Sequence, residues 1–352
     1  MGVNVIIKQK KSLFKKKLEV EDINTLWKKS CINFFKNELD PRIGIMDKFN
    51  RIEPSFLSND NKSISESNNL LKKSNEFILF NKLNYGSGIM LVLNENDIIL
   101  NISFPTTYSE IVSFYNLIEL ICKKLNITKF YRDNQTGYNL EDIKDKECFI
   151  ELGINDTLSM LKKMESMTEN ESGFTINGVL NPISITIDNL KEFGIELPLV
   201  NNMNNIMNLM KNYENFMNEI QQRDLYYAVF DVIKTTKEKP QVIAYIAIPS
   251  NCDTVLPLNP KSELYFIINK YDTSKINGFY ACIENSQRET VFIEYEKFKE
   301  KIEIEKKEKY DGSHFIVRIS DDFIKNVNTE NGFKKLNEII NNWYSKRNGL
   351  NS

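Results

Sequence analysis

Asp224–Pro249 reads DLYYAVFDVIKTTKEKPQVIAYIAIP, two apolar runs joined by a polar connection. Successive side chains of a strand point to opposite faces. In the first run Leu225, Tyr227, Val229 and Ile233 share one face, and Tyr226, Ala228, Phe230 and Val232 the other. In the second run Val242, Ala244, Ile246 and Ile248 oppose Ile243, Tyr245 and Ala247. Both faces are apolar, so the pattern predicts a hairpin at the centre of a sheet that is covered on both sides. Thr235–Pro240 forms the turn, where a proline without an N–H interrupts no ladder. Asp231 is the one interruption; it fits a strand end or a solvated edge, and it also stands as a candidate site carboxylate.

Upstream, Met203, Ile206, Met210, Tyr213, Met217 and Ile220 recur at spacings of three, four, three, four and three. That is a heptad-like seam on one helix. It reads either as core or as an adaptable surface for a protein partner or for self-association. Earlier still, Phe77–Asn81, Ile89–Leu93 and Ile98–Phe104 read as antiparallel strands, with Tyr85-Gly-Ser-Gly88 as the loop joining the first two. The glycines of that loop permit close approach to a phosphate, but the third glycine and the following helix of a dinucleotide fingerprint are missing. Thr107-Tyr-Ser-Glu110 matches a capping box. The helix it opens carries Ile111, Phe114, Ile118 and Ile121 at helical spacing and stops at Asn126.

Val3–Ile7 reads as a strand and Glu21–Lys36 as a helix, with the lysine-rich Lys8–Lys17 between them as a solvated tip. Asn59–Ser74 is polar and aperiodic and reads as a surface loop. Leu158–Met167 is a short helix, and Ile183–Ile187 a strand leading to a helix capped by Asp188. Beyond the central hairpin, Pro249–Pro260 reads as a loop. Leu264–Asn269, Phe279–Glu284, Thr290–Tyr295 and His314–Ser320 read as strands, and Phe333, Leu336, Ile340 and Trp343 mark a terminal helix.

The whole is an α+β pattern of antiparallel sheets with amphipathic helices on their faces. It divides into an N-terminal region over 1–197, a bridging helix over 198–223 and a C-terminal region over 224–352.

Forty-six basic against 48 acidic residues leave a net charge of -2, which gives no global field for nucleic acid or anionic lipid. Cys31, Cys122, Cys148, Cys252 and Cys282 are odd in number and form no CxxC pair, so they read as free thiols rather than a disulfide framework or a zinc site. No apolar run reaches the length of a membrane span. The N-terminus has no secretory signal, and Ile6 stands where myristoylation wants Ser or Thr. A cytoplasmic setting is the expectation.

The single histidine, His314, follows a Tyr-Asp-Gly-Ser turn and reads as a surface turn residue. With one histidine, no nucleophile–histidine set or His-rich metal site is signalled. No Walker, GxSxG, kinase or HExxH motif occurs. No cofactor or metal is therefore expected. The leading expectation is a non-enzymatic protein-interaction or structural module. The alternative is an enzyme or small-ligand binder whose site assembles from Tyr131, Arg132, Asp133 and Asp231.

Three segments carry a resemblance: VNVIIKQKKSLFKKKLEVEDI at the start, FPTTYSEIVSFYNLIELICKKL over 104–125 and DLYYAVFDVI over 224–233. In order and character they resemble domain of unknown function family 4299. The resemblance implies a bacterial cytoplasmic protein without an assigned activity, and it carries over no functional residue.

Overall fold

The computed structural model describes residues 2–9, 18–36, 38–46, 52–57, 60–133, 136–141, 146–167, 174–193, 203–223, 225–234, 242–262, 273–284, 286, 290–302 and 308–323. The chain forms two compact units, Met1–Arg223 and Asp224–Ser352.

The first unit is built on one antiparallel sheet. Its strands are β1 (Gly2–Lys8), β2 (Pro41–Gly44), β3 (Glu76–Asn81), β4 (Asn84–Leu93), β5 (Asp97–Ser103), β6 (Lys129–Arg132) and β7 (Thr136–Asn139). They lie in the order β2-β3-β4-β5-β1-β6-β7. Period-two alternation decides which face is buried. Val3, Val5 and Ile7 of β1 stand opposite Ile102, Leu100 and Ile98 of β5, and all six are buried. Between them Asn4 and Asn101 face the other way and bond to each other, Asn101 Nδ2 donating to Asn4 Oδ1 at 2.8 Å. β3 is buried on both faces: Ile78 and Phe80 enter a second cluster with Ile52, Phe56, Tyr85 and Val179.

Helices cover the first face. α1 (Val20–Ser30) packs against α3 (Tyr108–Leu125), and α3 against α4 (Lys146–Met167). Trp27 is fully buried, and its indole N–H donates to the Phe80 carbonyl at 3.1 Å. α1 ends at Ser30, earlier than its apolar pattern predicts, and Phe34 beyond it is 54% exposed. α4 starts at Lys146, well before the expected Leu158.

The segment read as a surface loop, Asn59–Ser74, is instead a helix, α2 (Asn61–Leu71). Asp60 caps it by accepting from the Ser63 N–H at 2.9 Å. Ser67 is buried, and Leu71 packs on the Phe56 cluster. A short β8–β9 hairpin (Phe174–Asn177 and Pro182–Ile185) leads to α5 (Ile187–Glu192). α5 is capped by Thr186 and Asn189 rather than by Asp188. α6 (Met203–Gln221) completes the unit, packed against β4 and α3.

The second unit holds two four-stranded sheets. One has the order β11-β12-β14-β15, from Phe230–Lys234, Val242–Pro249, Gly278–Glu284 and Thr290–Glu294. The other has the order β10-β13-β17-β16, from Tyr226–Tyr227, Asp253–Pro257, His314–Arg318 and Glu308–Lys309.

The two runs pair antiparallel, with Phe230 opposite Ile246 and Lys234 opposite Val242, but not at the centre of the sheet, because β11 is its edge strand. β12 is interior and covered on both faces: Ala244, Ile246 and Ile248 enter the main core, and Ile243 and Tyr245 a smaller cluster. The first run breaks at Ala228–Val229. Its start, β10, leaves for the other sheet and pairs in parallel with β13. β13 itself falls in the stretch read as a loop. One core joins both sheets to α7 (Tyr295–Ile302) through Phe230, Leu256, Phe298 and Phe315. The Lys10–Lys17 run, the Thr235–Pro240 turn, the Leu264–Asn269 strand and the terminal helix lie outside the described residues.

Asp60→Ala removes the cap of α2 and is expected to lower stability by about 0.5–2 kcal/mol. Amide exchange should show protection falling first across 64–71; undiminished protection there would mean that the cap is dispensable.

Candidate functional site

β4 outruns its partners. Its pairing with β5 starts at Ile89, and toward β3 only Asn84 is matched before Ile89. The backbone donors of Asn84–Gly88 therefore need other acceptors. Side chains of α3 and α6 supply them for Tyr85, Ser87 and Gly88. Ser87 N–H donates to Glu110 Oε2 at 2.9 Å and Gly88 N–H to Glu110 Oε1 at 2.8 Å. The Thr106 hydroxyl also donates to Glu110 Oε2. Tyr85 N–H donates to Asn218 Oδ1 at 2.7 Å.

A second carboxylate completes the centre. Glu214 accepts from Asn84 Nδ2 at 2.7 Å and from the Ser109 hydroxyl and N–H at 2.7 and 3.0 Å. Ser109 lies in the first turn of α3, so Glu214 also sits where a helix N-terminus favours negative charge. Both carboxylates are buried, Glu110 at 6% and Glu214 at 2% exposure.

Burial pushes both carboxyls above their ordinary range. For Glu110 the bonds from Thr106, Gly88 and Ser87 oppose the shift, and the Glu214 charge adds to it. For Glu214 the bonds from Ser109 and Asn84 oppose it.

This arrangement revises two expectations. The capping box at Thr107–Glu110 is half formed: Thr107 Oγ1 accepts from Glu110 N–H at 3.2 Å, while the Glu110 carboxylate turns to β4. Tyr85–Gly88 is strand rather than loop, and its glycines do admit an anion, namely the protein's own Glu110. A Cβ on Gly86 would lie 2.0 Å from Glu110 Oε2. Gly88 has φ +76°, which disfavours any residue with a side chain. No local pattern could link Glu110 to β4 or Glu214 to α3, because their partners lie 22 and 105 residues away. The centre is enclosed by its own donors, and its chemistry is to hold β4, α3 and α6 together.

The structure keeps Tyr131, Arg132 and Asp133 together at β6, with Arg132 Nε buried and without a hydrogen-bond partner. Arg132 ion-pairs with Asp156 of α4 and lies 3.6 Å from Asp133. Asp133 Oδ1 accepts from Asn4 N–H at 3.1 Å. Tyr131, on the opposite face, lies 4.6 Å from the Lys8 ammonium. Asp231 belongs to the second unit, exposed on the edge strand β11, where it accepts from its neighbour Val232 N–H at 2.8 Å.

His314 is not a surface turn residue: it is 3% exposed. Its Nδ1 lies 2.9 Å from Asp311 Oδ1 and its Nε2 2.7 Å from the Tyr227 hydroxyl. Asp311 also accepts from the N–H groups of Ser313 and His314, both at 2.8 Å. With the Nδ1–H on Asp311, Nε2 accepts from Tyr227, and the relay ties β10 to β17 across β13.

All five cysteines are free. Burial pushes the thiols of Cys31, Cys122 and Cys282 up to about 12, which keeps them protonated at neutral pH. Cys148 is exposed and Cys252 half-buried. Among the described residues, no group of three or more His, Cys, Asp or Glu is placed to hold a metal. Nor is any helix there long and apolar enough to cross a membrane.

Two open hollows flank α2. One, of about 430 Å³, lies between α1 and α2 over β2. The other, of about 340 Å³, lies between Leu70 of α2 and Met90 of β4.

These features define an α+β protein of mainly antiparallel sheets, with parallel pairs β10–β13 and β12–β14 in the second unit and a buried pair of carboxylates in the first. The chain belongs to the family described as a domain of unknown function, DUF4299, whose model matches residues 2–327 and so runs through both units. No curated protein and no solved structure matches it.

The raised carboxyls set a pH dependence. A folded-state value above the unfolded one gives stability that is full below the ordinary carboxyl range. It is lost as pH rises through the folded value. Urea midpoints should fall over that interval, and Glu110→Gln should flatten the slope. Gln also turns an amide N–H₂ toward a backbone donor, so the variant is expected to lose about 1–3 kcal/mol. An unchanged slope would place the titration elsewhere. Gly86→Ala should cost at least as much, read as a drop in melting temperature.

Proposed function

We propose that the chain is a non-catalytic cytoplasmic interaction module whose docking surface is the hollow between α2 and β4. The observation that carries this is a pair of large apolar side chains left open on the same hollow: Leu70 is 40% and Met90 39% exposed. Ile45, Met46 and Phe77 line it as well, with Lys73 and Glu76 of opposite charge at its edge. An apolar hollow with a polar margin suits an apolar anchor side chain of a partner protein. The methionine seam of α6 offers less: Met210, Tyr213, Met217 and Ile220 are buried within the first unit, and Ile206 is half-buried. Free thiols at all five cysteines fit a reducing compartment.

A photo-crosslinking residue at position 90 of the full chain, irradiated in cells, should give a discrete protein adduct. The double variant Leu70→Glu, Met90→Glu replaces exposed side chains. It should keep its melting temperature within a few degrees, and it should abolish the adduct formed by a crosslinker placed at Lys73. Absence of any adduct from position 90 would sink this reading.

A further inference from the structure

A chain of hydroxyls leads away from the buried Glu110. The Thr106 hydroxyl bonds to Glu110 Oε2, and it lies 3.1 Å from the Ser87 hydroxyl, where either oxygen can donate. Ser87 Oγ in turn lies 3.2 Å from the Ser103 carbonyl. A hydroxyl carries one hydrogen and also accepts, so the chain can run in two directions. With Glu110 ionised, Ser87 donates to Thr106 and Thr106 to the carboxylate. With Glu110 protonated, the carboxyl donates to Thr106, Thr106 to Ser87, and Ser87 to the Ser103 carbonyl. Every hydrogen finds an acceptor either way. The Ser103 carbonyl loses its Ser87 bond in the ionised state, but Ser103 is exposed at the end of β5, where water can take that place.

Glu214 has no such chain. Its partners are Asn84 Nδ2 and the N–H and hydroxyl of Ser109. A proton on Glu214 would have to be donated to Ser109 Oγ, which already accepts from Phe34 N–H at 2.9 Å. The Ser109 hydrogen, whose acceptor is Glu214, would then be stranded. Asn84 Oδ1 is taken by Asn218 Nδ2. The first turn of α3 and the charge of the exposed Lys36 also favour an ionised Glu214. Of the two carboxyls, Glu110 is the one that the other's charge pushes up.

The remaining groups around the centre keep one charge state. Cys31, beyond α1, and Tyr213 of α6 face Glu110, and burial together with its charge holds both protons on, Cys31 at about 12. The Tyr213 hydroxyl donates to the Pro105 carbonyl at 3.2 Å. α4 brings the Thr157 hydroxyl, which accepts from Thr106 N–H at 3.4 Å. The β8–β9 turn brings Val179 N–H, which donates to the Gly86 carbonyl at 3.0 Å.

We propose that Glu110 is a pH-responsive lock on α6: it takes up one proton while Glu214 stays charged, and the Thr106–Ser87 pair reverses direction as it does so. With the proton on, this centre carries one charge. With it off, Glu110 on α3 opposes Glu214 on α6, and like buried charges repel. The repulsion falls on α6, whose polar ties to β4 run through Glu214 and Asn218. The lock does not rest on the docking surface between α2 and β4.

The test uses the full chain with carboxyl-labelled glutamate, titrated by NMR and infrared spectroscopy above the ordinary carboxyl range. The wild type should show one glutamate gaining a proton there as pH falls. That signal should be absent from Glu110→Gln. It should persist in Glu214→Gln, moved to lower pH because the neighbouring charge is gone. Ser87→Ala keeps the backbone donor to Glu110 but removes the acceptor that a reversed Thr106 needs. It should lower the midpoint by about one unit, the worth of one neutral hydrogen bond. It alters neither carboxyl, so it decides the matter even where Glu110→Gln fails to fold. Amide exchange across α6, with the intrinsic rate divided out, should quicken by about tenfold as the proton leaves, the equivalent of one unit of coupling between the charges. In Glu110→Gln it should stay level. No glutamate titrating above the ordinary range, a titration lost in Glu214→Gln but kept in Glu110→Gln, an unmoved midpoint in Ser87→Ala, or α6 protection that stays constant through the titration would each overturn the proposal.

Discussion

The first unit depends on how five residues of backbone, Asn84–Gly88, satisfy their hydrogen bonds after leaving the ladder. An orphaned buried N–H costs about 1–3 kcal/mol, and several in a row would unmake the strand. Glu110 takes two of these donors and Asn218 a third. Burying a carboxylate itself costs several kcal/mol, an amount that three charge-assisted bonds of about 1.5–3 kcal/mol each can offset. The balance holds only while each partner is in place. Gly86 must lack a side chain, Thr107 must cap α3 so that Glu110 is aimed at β4, and α6 must bring Glu214 and Asn218 to the same spot. Helix and sheet are thus fixed to each other by polar groups at one end and by apolar packing along the rest of α3.

The second unit meets a similar need differently. β10 is two residues long and pairs with β13 alone. The Asp311–His314–Tyr227 chain adds a side-chain tie from β10 to β17. All three residues of that tie are buried, so the only histidine in the chain is spent on structure. The break at Ala228–Val229 lets one run of sequence feed two sheets, and the shared core of Phe230, Leu256 and Phe315 lies where they meet.

Elements whose signal is periodic were legible in the sequence: β1, β3, β5, β12, α3 and α6 all show it. Gly86 and Gly88 were not: their stretch reads as a loop, and it is a strand whose donors meet Glu110. What was not legible depends on distance or on weak local pattern. α2 is polar along most of its length, and its buried contacts are a serine and a leucine, so only the Asp60 cap marked it. β13 sits between prolines that mark turns more strongly than its short apolar run marks a strand. His314 follows a turn that signals exposure, and its burial comes from Tyr227, 87 residues earlier. Glu110 answered a local capping pattern, but the bonds from β4 were better. The hollow over β2 is assembled from four separate segments, and a serine on a polar helix gives no sign that it is buried.

The cysteines provide an unplanned handle on the two units. Three of the five thiols are buried and protonated, leaving Cys148 at the start of α4 in the first unit and Cys252 ahead of β13 in the second. A maleimide dye would attach first to Cys148, and a second of different colour, added under mild denaturant, to Cys252. The wild-type chain then carries one fluorophore per unit. Energy transfer between them would turn the separation of the two units, and any change in it when a partner or ligand binds, into a directly measured distance.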